Sequence, residues 1–125
     1  MLLAITLVFL GGAAGSMWRY WWVGLVTQHL GETFPFGTLA VNISGSILAG
    51  VFSGFLMHVA NSSLASALQQ LLVIGICGGF TTFSSFSLQT FILIVDRRWL
   101  LALSNIVFST GLSFGSVALG WQIAQ

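Results

Sequence analysis

The chain has 125 residues, of which 57% are hydrophobic and only 4% charged. Soluble domains carry roughly 25% charged residues, so Arg19, Glu32, Asp96, Arg97 and Arg98 are too few to cover a water-facing surface. What remains is an integral membrane protein, and with about 20 residues consumed by each crossing helix the length admits four spans and excludes a fifth.

The first span is expected over residues 2–26, interrupted only by glycines and Arg19 and ended by the polar run Gln28 to Thr33. It lacks a basic leader and a small-residue cleavage site, so it is expected to stay as a helix. Pro35 opens the second span, residues 36–59, because a proline in the first turn forfeits no helical hydrogen bond. Ala60 to Ser63 read as the next turn. The third span, residues 64–95, is longer than the roughly 17–25 residues that a bilayer requires. Either it is strongly tilted, or part of it is not membrane helix. Asp96, Arg97 and Arg98 mark the third loop, and Trp99 and Trp121 bracket the fourth span, residues 99–121, as interfacial anchors do. Residues 1–125 thus read as a single all-α, four-helix transmembrane domain.

The arginines lie in or near the first and third loops, which the positive-inside rule places in the cytoplasm. So small a bias is also compatible with insertion in both orientations. Gly11-Gly12-Gly15, Gly45-Ala49, Gly50-Gly54 and Gly111-Gly115 recur at helical spacing, and such faces let membrane helices approach closely. Cys77, the only cysteine, has no intrachain partner and reads as a small buried residue.

The third span departs from plain membrane helix over Gly78 to Ser87, where two glycines, five hydroxyl side chains and three phenylalanines are concentrated. The glycines weaken the helix, and Thr81 and Thr82 offer the backbone local hydrogen bonds, so a break is expected over residues 78–82. Irregular backbone survives at membrane depth only where it is buried in protein or faces a water-filled cavity. Its carbonyls would suit a small hard cation such as sodium. Beyond the break Phe83, Phe86 and Gln89 share one helical face. A ring has a positive edge, so two phenylalanines among hydroxyls could hold a partly dehydrated anion; the alternative is simple packing.

Asn42 falls in the middle of the second span, where it either bonds across helices or lines a polar path. Ser109 and Ser113 form a hydroxyl column on the fourth span. Arg19 either snorkels to the interface or draws anions toward a vestibule.

These features closely resemble the Fluc/CrcB family of small fluoride channels, through GGAAGSMWRY at Gly11 to Tyr20, PFGTLAVNISG at Pro35 to Gly45 and, above all, GICGGFTTFSSFS at Gly75 to Ser87. The resemblance covers essentially the whole chain. It implies passive, selective fluoride export across the bacterial inner membrane by an antiparallel, dual-topology homodimer with two pores. Carried over by motif, it puts the pore asparagine at Asn42, the fluoride-facing rings at Phe83 and Phe86, and the last-helix hydroxyls at Ser109 and Ser113. Ser85 is expected to assist them, and the first-helix arginine is matched by Arg19. A central structural sodium ion would be held by the backbone carbonyls of Gly78 and Thr81 from each subunit. Where relatives commonly carry a carboxylate three residues after the second pore phenylalanine, this chain has Gln89, which keeps hydrogen bonding but removes a charge. Leu112 replaces a glycine that often precedes the last-helix serine.

Fluoride is strongly hydrated, so its pore must offer several oriented donors that bind it only moderately. Four short helices have little interior left for such a path, which independently favours a homodimer. The main rival is a small multidrug-type proton-coupled exporter, which needs an intramembrane carboxylate. None of the four spans carries one in its interior. A purely structural membrane subunit would carry no flux at all. An enzyme is not expected, since neither His29 nor His58 is paired with a nucleophile or metal cluster, and no nucleic-acid partner is expected.

Overall fold

The computed structural model describes residues 1–125 and is helical throughout, without strands. Four runs are long and apolar enough to cross a membrane: Leu2–Leu30, Phe36–Leu56, Ser62–Val95 and Trp99–Ile123. The first two are α1 and α2. The third run is composite: α3 begins as Ser62–Leu68, continues as a π-wound stretch over Gln69–Cys77 and closes with Gly78–Phe80. Thr81 and Thr82 follow in extended conformation, and α4 occupies Phe83–Val95. The last run, Trp99–Ile123, is α5.

Helix ends follow local chemistry rather than the edge of the apolar pattern. α1 runs past residue 26 to Leu30, because Gln28 and His29 are compatible with helix and the His29 ring bonds the Leu25 carbonyl at 2.8 Å. It stops where Gly31 takes φ 79°, a conformation most side chains resist. α2 ends at Leu56, three residues before the expected limit. α3 starts at Ser62 because Asn61 caps it, its side chain accepting from the Leu64 N–H at 3.0 Å. At the end of α4, Arg98 N–H reaches back to the Leu93 carbonyl and Arg97 N–H to that of Ile94, with Arg97 at φ 57°. This is a Schellman closure with an arginine in the seat that glycine usually takes.

Packing rests on glycine. α1 lies against the π-wound and closing parts of α3, where a Cβ on Gly75 would come within 2.9 Å of Gly11 Cα and one on Gly15 within 2.9 Å of the Phe80 nitrogen. Gly79 meets the Gly12 backbone, its virtual Cβ 2.8 Å from Gly12 Cα, so this glycine permits a close approach rather than loosening the helix. α2 crosses α5 in the same manner through Gly50, Gly54 and Gly120. Close approach replaces the hydrophobic driving force that lipid removes. Gly111 and Gly115 behave otherwise: nothing lies within 4 Å of a Cβ at either position, so this expected packing face stays open within the chain. Cys77 is buried, as expected of a small core residue, and Phe80, Val41 and Asn105 are the most deeply buried large side chains.

Candidate functional site

The interruption after Phe80 organises everything near it. Gly78 and Gly79 stay helical, so the extended residues are Thr81 and Thr82 rather than the whole of residues 78–82. Asn42, on α2, takes up the backbone groups of this extended segment. Its Oδ1 accepts from the Thr82 N–H at 2.8 Å and its Nδ2 donates to the Thr82 carbonyl at 3.1 Å. The carboxamide thus pairs with Thr82 as a second peptide group would, and the Gly78 carbonyl loses the N–H it would receive in a continuous helix. Thr82 then caps α4, its Oγ1 accepting from the Ser85 N–H at 3.2 Å.

Asn42 is therefore committed to the Thr82 backbone, with one N–H of its amide left without a partner in the chain. Replacing it with alanine is expected to leave both Thr82 backbone groups unpaired and to cost about 1–3 kcal/mol. The readout is a lower thermal transition of the purified protein in detergent.

Two grooves flank the interruption. The first, about 410 Å³, is lined by Asn42, Phe83, Phe86, Ser109 and Ser113, with Thr82 at its edge. The Phe83 and Phe86 rings lie 5.5 Å apart between centroids at 48° to one another. Phe83 is 78% exposed, so the groove is open along this ring. Thr110, Ser46 and Phe114 also line it. No charged residue does.

The second groove, about 920 Å³, contains Arg19, Thr38, Thr82, Ser85 and Gln89. Ser85 was expected beside the phenylalanines; it lies on the other side of α4, because two residues of α-helix turn it about 200° from Phe83. Gln89 also faces this second groove, and its Oε1 is buried without a hydrogen-bond partner. A third cavity of about 350 Å³ adjoins it at the loop end, where Gln89 is joined by Glu32, Asp96 and Arg98. Thr82, expected only as part of the helix break, lines both main grooves. Its place three residues after Gly79 and two before Ser84 was the available signal.

Arg19 does not stand free: Nη1 donates to the Thr81 carbonyl at 3.1 Å, just past the C-terminal end of α3. A cation there complements the negative end of the helix dipole. Ser16 adds a bond to the Gly79 carbonyl at 3.3 Å, so α1 answers two of the carbonyls that α3 leaves open.

The arrangement offers oriented hydroxyls, amide hydrogens and ring edges but no nucleophile and base in register, and no cluster of three or more potential metal-ligating side chains. It suits transient coordination of a small anion better than bond-making chemistry.

The family model for CrcB-like protein, Camphor Resistance (CrcB), matches residues 6–121. A relative from Rhodospirillum rubrum, named fluoride-specific ion channel FluC, is 44% identical over 110 residues, covering 88% of this chain and 85% of its own. Proteins of the same name from Opitutus terrae and Nitrobacter winogradskyi are 45% and 44% identical, covering 90% and 97% of this chain and 86% and 94% of their own. With the match spanning all four helical runs, the chain belongs to the CrcB family.

Proposed function

We propose that this multi-pass membrane protein is a fluoride-selective channel, conducting passively through pores that a second copy in antiparallel orientation completes. The observation that carries the reading is the first groove, in which Phe83 and Phe86 face Asn42 and the Ser109–Ser113 column without any fixed charge. Ring edges and neutral donors replace water around a small anion without trapping it. The relatives' names agree in naming the ion. No covalent step is involved. Fluoride enters the cell as its neutral acid, dissociates, and leaves as the anion down its electrochemical gradient, so passive conduction through the inner membrane achieves export.

Two features support the homodimer. The first groove is open along Phe83, and the second is lined by the half-buried Arg19, Ser85 and Gln89 on the flank of an otherwise apolar bundle. Polar groups facing lipid are costly, and a second copy laid over them removes that cost while closing the pore. Insertion in both orientations accords with the small arginine bias.

The interruption at Thr81 and Thr82, read as a break at membrane depth, also fits a structural sodium ion. The Gly78 carbonyl has no helical donor, and the Thr81 carbonyl keeps a lone pair beside the one that Arg19 takes. Oxygens of this kind serve sodium at unwound helices. Two per chain fall short of a closed shell, so the ion would join two subunits and supply a fixed positive charge at their seam.

A proton-coupled exporter finds no support, since Glu32 and Asp96 both lie outside the helices. Purified protein in liposomes loaded with fluoride should release it on addition of an ionophore, as read by a fluoride electrode, while chloride-loaded liposomes should not. Equal rates for the two anions, or no release, would overturn the reading.

A further inference from the structure

Behind the first groove, outside its lining, Asn105 is 1% exposed and its side-chain nitrogen and oxygen are both engaged. Thr90 Oγ1 lies 2.8 Å from the Phe86 carbonyl, Asn105 Nδ2 lies 2.9 Å from Thr90 Oγ1, and Ser109 Oγ lies 3.1 Å from Asn105 Oδ1. The directions follow from chemistry. A carbonyl only accepts, so Thr90 gives its hydrogen to Phe86 and can only accept from Asn105. The amide nitrogen must then face Thr90 and the amide oxygen Ser109, which leaves Ser109 as donor.

We infer that Asn105 and Thr90 are positioning residues of the pore wall. Ser109 hands its hydrogen to Asn105, Asn105 to Thr90, and Thr90 to the backbone of Phe86. This one-way chain ties α5 to α4 at the turn that carries the pore phenylalanine, and so sets the spacing between the ring edges and the hydroxyl column. It also assigns different tasks to the two serines. Ser109, 4% exposed, has committed its hydrogen away from the groove and turns lone pairs toward it. Ser113, one turn on and lining the same groove, makes no hydrogen bond within the chain and keeps its hydrogen for an anion. Ser113 is therefore the hydroxyl donor of this wall, and the chain through Asn105 holds Ser109 in place beside it.

The inference rests on the channel reading, and the test separates the two. Thr90→Val, nearly isosteric, removes both the acceptor for Asn105 and the donor to Phe86, while Thr90→Ser retains them. In fluoride-loaded liposomes, T90V is expected to lower flux per folded dimer by about tenfold, the effect of an unpaired buried polar group, and to narrow the fluoride-over-chloride ratio. T90S should restore both. Combining T90V with Ser109→Ala should cost no more than the worse single change, because both break one chain. A T90V protein that conducts and selects like the unmodified one, or a T90S protein as impaired as T90V, overturns the inference. Should T90V not assemble, the serines decide it: S113A is expected to reduce flux more than S109A, and equal or reversed losses overturn it. If unmodified protein carries no fluoride, the channel reading itself fails, and this inference with it.

Discussion

A Phe83→Ile protein is expected to elute as the same assembly as the unmodified chain and to have lost most of its fluoride flux. Phe83 is 78% exposed in the single chain, so its ring contributes little to the packing of its own subunit. Isoleucine preserves an apolar side chain of moderate size but has no positive ring edge. The Phe83 and Phe86 rings, 5.5 Å apart, are tilted toward one another, so the change also strips Phe86 of its neighbour. Aromatic edge interactions reach about 1.5 kcal/mol, and losing that much from the transit barrier slows passage about tenfold. Electrode-monitored release from liposomes measures this directly. Flux equal to that of the unmodified protein would remove Phe83 from the pathway.

Gly50→Ala should act on the fold itself. A methyl group there would collide with the Val117 carbonyl oxygen and lie 2.8 Å from the Trp121 nitrogen. Both obstacles are α5 backbone, which cannot rotate aside as a side chain would. Gly120 meets α2 reciprocally, its virtual Cβ 3.0 Å from the Val51 nitrogen. Inserting one methyl into a packed contact typically costs about 1–3 kcal/mol, and here helix α2 must move off α5 to make room. The expected outcome is a large fall in the thermal transition in detergent and in the yield of folded protein. Gly115→Ala, which meets nothing within 4 Å in the chain, provides the contrast. In a detergent-solubilised single chain it should stay within about 0.5 kcal/mol of the parent. Similar losses for both variants would show that the α2–α5 contact is not the reason Gly50 is required.

Individual residues show how far the chain could be read before its helices were assembled. Scarcity of charge and the spacing of apolar runs were enough for four crossing helices, because both depend on local composition. The Pro35 and Asp96 to Arg98 boundaries were legible for the same reason. The end of α1 was not: Gln28 and His29 are polar yet helix-compatible, and the stop is set by the backbone of Gly31. The π-wound stretch over Gln69–Cys77 left no mark in the residue pattern, and it lies against the glycine face of α1. Gly79 looked like a weak point in a helix and instead lets α1 come close.

The candidate site divides along the same line. Phe83, Phe86, Ser109 and Ser113 could be picked out by residue type and helical spacing, and the fold places all four in one groove with Asn42. Ser85, two residues from Phe83, faces the other groove, and Arg19 bonds the Thr81 carbonyl. The pairing of Asn42 with Thr82 and the chain from Ser109 through Asn105 to Thr90 join residues 40 and 15 positions apart at their longest links. Membrane residence, helix number and the kinds of group available to a small anion follow from composition and short-range periodicity. Which of those groups still has a hydrogen to offer depends on partners brought together from other helices, and only the packed structure supplies them.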